Sequence, residues 1–107
     1  MKLRTDGCVL CGSTWGDYWE EVDGERCFFC CEVCARQLTN LVAAVVAATG
    51  WDRLDSLAIE GDRRGRRATV TRHDRKAVYS FVFGDDATVR RLRPGRPAPD
   101  VGSAPVP

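Results

Sequence analysis

Six cysteines in a chain of 107 residues constrain this sequence most, because all six lie between Cys8 and Cys34. Disulfide-rich scaffolds form in oxidising compartments and follow a secretory leader. Residues 1–6 contain no apolar stretch of that kind. The longest apolar run, Leu41–Ala48, is also far shorter than the ~20 residues that a membrane span needs. We therefore expect a cytoplasmic protein whose clustered thiols bind a metal ion.

The first two cysteines belong to a C-x-x-C-G motif, Cys8 to Gly12, which is typical of the tight turn around a tetrahedral metal. Zinc prefers thiolate ligands and requires four of them in a structural site, so a second pair is needed. Spacing alone leaves three candidate pairs open: Cys31 with Cys34, Cys30 with Cys34, and Cys27 with Cys30. Iron is the competing metal, but rubredoxin-type iron sites carry two such motifs and this chain has one.

The residues between and after the cysteine groups predict a β-hairpin followed by a helix. Two strand candidates, residues 18–22 and 26–30, are joined by Asp23-Gly24, a strong signal for a tight hairpin turn. Residues 31–49 carry apolar side chains at helical spacing, and Gly50 is a natural helix stop. Such a hairpin returns the chain to the first cysteine turn, and the first helical turn supplies the last ligand. This arrangement is known as a treble clef.

Residues 7–46 resemble the TRASH/YHS family of small treble-clef metal-binding domains. The resemblance rests on the C-x-x-C-G motif, a glycine turn, two aromatic residues before a cysteine and a final cysteine that opens the helix: Cys8, Cys11, Gly12, Gly24, Phe28, Phe29, Cys30 and Cys34. It implies a zinc site whose ligands are Cys8, Cys11, Cys30 and Cys34. Cys27 and Cys31 are then spare thiols. The run from Cys11 to Trp19 is also similar to a small, mostly archaeal set of zinc-binding proteins.

The second half of the chain contains no cysteine and predicts antiparallel β structure. Short polar turns separate four strand candidates: residues 57–60, 68–71, 77–83 and 87–92. The expected fold class is α+β, with a zinc module in residues 1–50 whose helix packs on a small sheet in residues 51–93. Residues 94–107 read as a disordered, proline-rich tail. The core candidates are apolar residues of the helix and the strands: Leu41, Val42, Val45, Val46, Ile59, Val70, Val78, Phe81 and Phe83.

Positive charge is concentrated in the second half of the chain. Residues 1–50 hold four basic and seven acidic side chains, whereas residues 51–107 hold twelve basic and eight acidic ones. An arginine-rich stretch in predicted loops is a candidate nucleic-acid-binding set: Arg63, Arg64, Arg66 and Arg67. Residues 61–76 contain no Phe, Tyr or Trp, so the sequence does not support stacking on bases. A solvated charged loop is the competing interpretation.

No catalytic motif is recognisable in the sequence. There is no Gly-rich phosphate loop and no Ser/His/Asp set, and the one histidine, His73, lies in a predicted polar turn. We therefore expect a non-enzymatic protein with a structural zinc ion, which binds a protein partner and no membrane. The alternatives are a metal sensor or trafficking protein, a nucleic-acid-binding protein, and a thiol redox enzyme that acts through Cys27 or Cys31.

Overall fold

Residues 1–62 and 64–95 are described by the computed structural model, and they form one helix and two antiparallel sheets. Strands β1 (Tyr18–Val22) and β2 (Glu25–Phe29) form a hairpin that precedes helix α1 (Glu32–Thr49). Four strands follow the helix in a second sheet: β3 (Ser56–Asp62), β4 (Gly65–Arg72), β5 (Arg75–Phe83) and β6 (Val89–Pro94). The predicted α+β class is confirmed.

The β1–β2 hairpin turns at Asp23 and Gly24, as the sequence predicts. Both residues have positive φ, 53° and 83°, which is the backbone conformation that favours Asp-Gly in a two-residue turn. Phe29 is fully buried and Cys27 is 7% exposed, so this side of β2 faces the core. Trp19 lies on the other side of the hairpin, about half exposed. The hairpin therefore packs against the core mainly through the side of β2 that carries Cys27 and Phe29.

Helix α1 begins one residue after its predicted start and ends at the predicted residue, Thr49. Cys31 is the N-cap residue, and Gly50 ends the helix with φ 74° and an N–H that donates to the carbonyl of Val46 at 3.0 Å. The buried side chains recur at helical spacing along one face: Cys34, Ala35, Leu38, Leu41 and Val45. This face places Cys34 and the central core residues on the same helix.

The second sheet is an antiparallel meander with the strand order β3-β4-β5-β6. One face of it shares a buried apolar cluster with the helix, to which Leu57, Val70 and Phe81 belong. The predicted core is therefore largely confirmed. Leu41 and Val45 also lie in the cluster, and the half-buried members pack against it: Val42, Val46, Ile59 and Phe83.

Val78 is the exception among the core candidates. It is buried, with 6% exposure, but it does not belong to the shared cluster. Its neighbour Tyr79 packs against that cluster, and successive strand residues point to opposite faces, so Val78 lies on the face turned away from the helix. Burial of Val78 accordingly does not hold the sheet on the helix.

The segment before the cysteines pairs with the second sheet, which the sequence does not predict. The N–H of Lys2 donates to the carbonyl of Asp55 at 2.7 Å, and the N–H of Leu57 donates to the carbonyl of Lys2 at 3.1 Å. These bonds form a short parallel bridge to the edge of β3. The start of the chain is thereby tied to the sheet on one side and leads into the cysteine turn on the other.

The predicted tail begins too early, because Pro94 is the last residue of β6 and not the first residue of a tail. The N–H of Gly95 still donates to the carbonyl of Val78 at 2.7 Å, which extends the pairing by one residue. The rest of the predicted tail, residues 96–107, lies outside the described residues. Within the described residues, no helix has both the length and the apolar character needed to cross a membrane.

Candidate metal centre

The first cysteine turn is fixed by three backbone hydrogen bonds. The N–H of Gly12 donates to the carbonyl of Cys8 at 2.9 Å, and the N–H of Cys8 donates to the carbonyl of Ser13 at 2.8 Å. The N–H of Val9 donates to the carbonyl of Phe28 at 3.0 Å, which ties the turn to β2. Gly12 has φ 80°, a conformation that side chains other than glycine rarely adopt. The C-x-x-C-G motif therefore forms the tight turn that its sequence predicts.

The second group of cysteines lies where β2 ends and α1 begins. Cys30 follows the last residue of β2, and Cys34 lies in the first turn of α1. Between them, Cys31 has an extended backbone, with φ −160° and ψ 169°. Gly16 passes so close to the carbonyl of Cys30 that a Cβ at residue 16 would overlap the carbonyl oxygen. This close passage packs the loop before β1 against the end of the hairpin.

Four thiols meet at this junction, namely those of Cys8, Cys11, Cys30 and Cys34. Their sulfur atoms all lie within 4.8 Å of one another. Three of the separations are known in detail: Cys11 to Cys30 is 3.6 Å, Cys30 to Cys34 is 3.4 Å, and Cys34 to Cys11 is 4.0 Å. A tetrahedron with Zn–S bonds of about 2.3 Å has sulfur–sulfur edges of about 3.8 Å. The four cysteines are therefore able to hold a metal ion.

The cluster is enclosed on all but one side. Cys8 is fully buried, Cys30 and Cys34 are 7% and 8% exposed, and Cys11 alone is exposed. In the part of the chain that the structure describes, no histidine or carboxylate joins the group. His73, the one histidine, is exposed in the turn between β4 and β5, where its backbone N–H donates to the carboxylate of Asp55.

The two remaining thiols occupy different positions relative to the cluster. The buried Cys27 thiol donates to the backbone carbonyl of Glu25 at 3.6 Å and is not part of the four-thiol group. The half-buried Cys31 has its sulfur 3.9 Å from that of Cys30, yet it too lies outside the group. Of the pairs that spacing left open, Cys30 with Cys34 is the one that the fold brings to Cys8 and Cys11.

The environments of the four thiols differ in how they affect ionisation. Burial raises the pKa of Cys30 to about 12 and also raises the pKa of Cys34. Partial burial opposes ionisation of Cys11 as well, but once the thiolate forms, the hydroxyl and backbone N–H of Ser13 donate to it, which lowers the pKa of Cys11 to about 7. In the metal-free protein near neutral pH, Cys11 therefore ionises before the two buried thiols.

These pKa values predict a steep pH dependence of metal binding. Cys30 and Cys34 carry protons at neutral pH in the metal-free protein, and both protons must leave when the thiolates bind a metal. By mass action, these two protons alone raise the apparent affinity for zinc by about 100-fold per pH unit between pH 6 and pH 8, and the proton of Cys11 makes the dependence steeper below about pH 7. Competition with a chromophoric chelator, corrected for the chelator's own protonation, measures this slope. An affinity that does not change with pH would show that these thiols are not ligands.

Sequence reasoning missed two residues that shape the site. The thiol of Cys11 donates to the hydroxyl of Ser13 at 3.3 Å, and Gly16 allows the close passage at Cys30. Both lie within the run from Cys11 to Trp19, so the signal was present in the sequence. A serine and a glycine are too common in loops to be singled out without the contacts that they make.

Among the described residues, only part of the predicted arginine set lies in a loop. Arg63 lies outside the described residues, and Arg64 lies in the β3–β4 turn. Arg66 and Arg67 are residues of β4, because β3 and β4 extend further than the sequence indicates. Consecutive strand residues point to opposite faces, so these two side chains separate. The Arg66 guanidinium lies 5.6 Å from the centre of the Phe83 ring, on the face of the sheet that packs towards the helix.

Comparison with models of known protein families assigns the chain to one family. The model of the Ta0938 family matches residues 5–94, which includes all six cysteines and every strand and helix described above. The chain belongs to the Ta0938 family. This family consists of small domains of archaeal type. No curated protein and no solved structure matches the chain. The resemblance to TRASH/YHS domains stays a prediction.

Proposed function

We propose that this member of the Ta0938 family is a non-enzymatic zinc-binding protein in which a four-cysteine site has a structural role. The observation that carries the proposal is the meeting of four thiols within 4.8 Å. They come from three separate parts of the chain: the first cysteine turn, the end of the hairpin and the first turn of α1. A metal ion at this point crosslinks all three, and thereby holds a core too small to be stable without a staple.

A treble clef is the arrangement that best accounts for the order of the ligands. The cysteine turn comes first, the hairpin returns the chain to it, and the helix begins at the last ligand. Zinc is the favoured metal because four thiolates in a closed tetrahedron are typical of structural zinc sites, whereas catalytic zinc sites keep one position open for water. We accordingly propose no reaction at this centre.

Exposed aromatic side chains support a role as an interaction module. Trp15 is 64% exposed and Trp19 is 49% exposed. Trp19 contacts the ring of Phe28 edge-on and carries the guanidinium of Arg26 at 5.0 Å from its centre. Tryptophan and arginine are over-represented among the residues that dominate protein interfaces. We propose that the partner is a protein in the cytoplasm, where thiols stay reduced.

Replacement of one thiol at the cluster tests the structural zinc site. Structural zinc contributes about 10–16 kcal/mol, so one of four equal ligands contributes about 2.5–4 kcal/mol. We therefore expect Cys34→Ser to lower zinc affinity by about 100- to 1000-fold. Metal content by native mass spectrometry and affinity by chelator competition measure the effect.

Cys27→Ser is the matched control, because Cys27 is a buried cysteine of the same segment that lies outside the four-thiol group. It is expected to keep one zinc ion per chain with unchanged affinity. If Cys27→Ser loses the metal while Cys34→Ser retains it, the proposed ligand set is wrong.

Metal trafficking is the second candidate function, and the position of Cys31 favours it. A half-buried thiol 3.9 Å from a ligand sulfur is well placed to take over the metal while it passes to another carrier. A third variant, Cys31→Ser, separates the two functions. Slower release of zinc to a chelator by Cys31→Ser than by the wild type supports trafficking, whereas equal release supports a structural site.

A further inference from the structure

The sheet presents a second surface, which we call the outer face, on the side turned away from α1. Val78 and Val82 lie on this face, whereas Tyr79, Phe81 and Phe83 pack towards the shared core. The register of the strands then assigns further members of the outer face, among them Ala58 and Glu60 on β3, Arg67 and Thr69 on β4, Lys76 and Ser80 on β5, and Arg90 and Arg93 on β6.

One row across the outer face brings two arginines to either side of a serine. Arg67 pairs with Ser80, and Ser80 pairs with Arg93. The two arginine Cα atoms are two strand spacings apart, about 10 Å. Ser80 and Arg93 are exposed and Arg67 is half-buried. The row therefore presents two guanidinium groups with a hydroxyl between them.

Neither of these guanidinium groups is held in an ion pair within the part of the chain that the structure describes. Arg72, on the same strand as Arg67, forms ion pairs with Asp52 at 3.1 Å and Asp55 at 3.4 Å. By contrast, neither Arg67 nor Arg93 forms an ion pair with any residue that the structure describes. Among the described residues, Arg67 and Arg93 therefore leave two unpaired positive charges on the outer face.

Other charges on the outer face modify this pattern without removing it. Lys76 is exposed, and Arg90 lies 3.8 Å from Asp86 in an exposed pair. Apart from Asp86, the negative charge near this face lies on β3, where Glu60 pairs in register with Arg67 and Asp62 ends the strand. The basic part of the outer face is thus the surface of β4, β5 and β6.

We propose that this basic part of the outer face binds the phosphodiester backbone of a nucleic acid. Guanidinium groups match the geometry of phosphate oxygens and bind them through paired hydrogen bonds. The hydroxyl groups of Thr69 and Ser80 are further donors of the kind that contacts phosphate. No Phe, Tyr or Trp lies among the described residues of this face, so binding relies on phosphate contacts and is insensitive to base sequence.

A protein partner fits this face less well. Protein interfaces are dominated by a few large anchors, mainly Trp, Tyr and Arg seated in dry pockets. The apolar members of the outer face are small, and Val78 is only 6% exposed within the protein itself. The exposed tryptophans lie before and on β1, which belongs to the other sheet.

Binding of a labelled 20-nucleotide oligo(dT) to the metal-loaded protein, followed by fluorescence anisotropy across a salt series, tests the proposal. Four cations of the outer face are counted as phosphate contacts: Arg67, Lys76, Arg90 and Arg93. For this number of contacts we expect the logarithm of the binding constant to fall linearly with the logarithm of the salt concentration, with a slope of about −3. The double variant R67Q/R93Q is expected to bind about tenfold more weakly at low salt, with a slope of about −1.5. If the double variant folds poorly, Arg93→Gln alone takes its place. This substitution is at an exposed position and is expected to give half of the change in slope.

The matched control is R36Q/R53Q, which removes the same net charge from exposed positions outside this face. It is expected to keep the wild-type slope. The proposal is overturned if the wild type does not bind the oligonucleotide at low salt, or if the control loses binding as strongly as R67Q/R93Q. It is also overturned if polyglutamate of equal length binds as tightly, since the face would then select negative charge and not a phosphodiester.

Discussion

Removal of the metal is expected to unfold the segment that contains the hairpin and α1. A structural zinc site contributes about 10–16 kcal/mol of apparent binding free energy, whereas the whole stability of a domain is about 5–15 kcal/mol. The four thiols join the first cysteine turn, the hairpin and α1, so their release frees all three at once. Because α1 is the one helix of the described residues, its ellipticity at 222 nm reports on this segment directly.

The experiment treats the purified protein with excess chelator near neutral pH and follows helicity and thermal unfolding. The same chelator saturated with zinc is the control, and it is expected to leave the signal unchanged. Helicity is expected to fall on chelation and to return when zinc is restored. A metal-free chain that keeps its helicity and its melting temperature would show that the centre is not structural.

Leu41→Ala is expected to cost about 2–5 kcal/mol in the free energy of unfolding, which is a large part of the stability of a small domain. Leu41 is fully buried near the middle of α1, in the cluster that joins the helix to both sheets. Its loss leaves a cavity between elements that cannot close without moving the helix. We also expect weaker zinc binding, because Cys34 is held in place by the same helix.

Urea unfolding of the metal-loaded protein measures this cost, and Val33→Ala is the control. Val33 is an apolar residue of the same helix but is 51% exposed, so its truncation is expected to change stability by less than about 0.5 kcal/mol. Equal effects of the two substitutions would show that the helix does not join the two sheets through the buried cluster.

Features set by short-range signals could be predicted from the sequence. The C-x-x-C-G turn, the Asp23-Gly24 hairpin and the end of α1 at Gly50 each depend on a few neighbouring residues with special backbone preferences. The Pro94 boundary was placed wrongly, because pairing with a neighbouring strand extended β6 into a proline-containing segment. Proline is tolerated at the end of an edge strand, so it did not mark the start of a tail.

Features set by contacts between distant residues could not be predicted. The bridge between Lys2 and β3 joins residues more than fifty positions apart in the sequence, and no local sequence pattern predicts it. Strand register determines the face of the sheet on which each arginine side chain lies. Arg66 lies on the face towards the core, and Arg67 lies on the outer face. The sequence pattern predicts that both belong to one loop region.

The choice between Cys30 and Cys31 shows the same limit within the site itself. The two residues are adjacent, and spacing allows either to pair with Cys34. The extended backbone at Cys31 turns consecutive side chains in different directions. Cys30 consequently reaches Cys11 at 3.6 Å, whereas Cys31 stays outside the four-thiol group. That direction depends on how β2 meets α1, which is a property of the folded junction.

X-ray absorption at the zinc edge, on protein purified without added metal, tests the central claim most directly. We predict one zinc ion per chain with four sulfur ligands at about 2.3 Å and no nitrogen or oxygen ligand. A protein that holds no metal, holds iron, or shows nitrogen or oxygen in the first coordination sphere would contradict a structural four-cysteine zinc site.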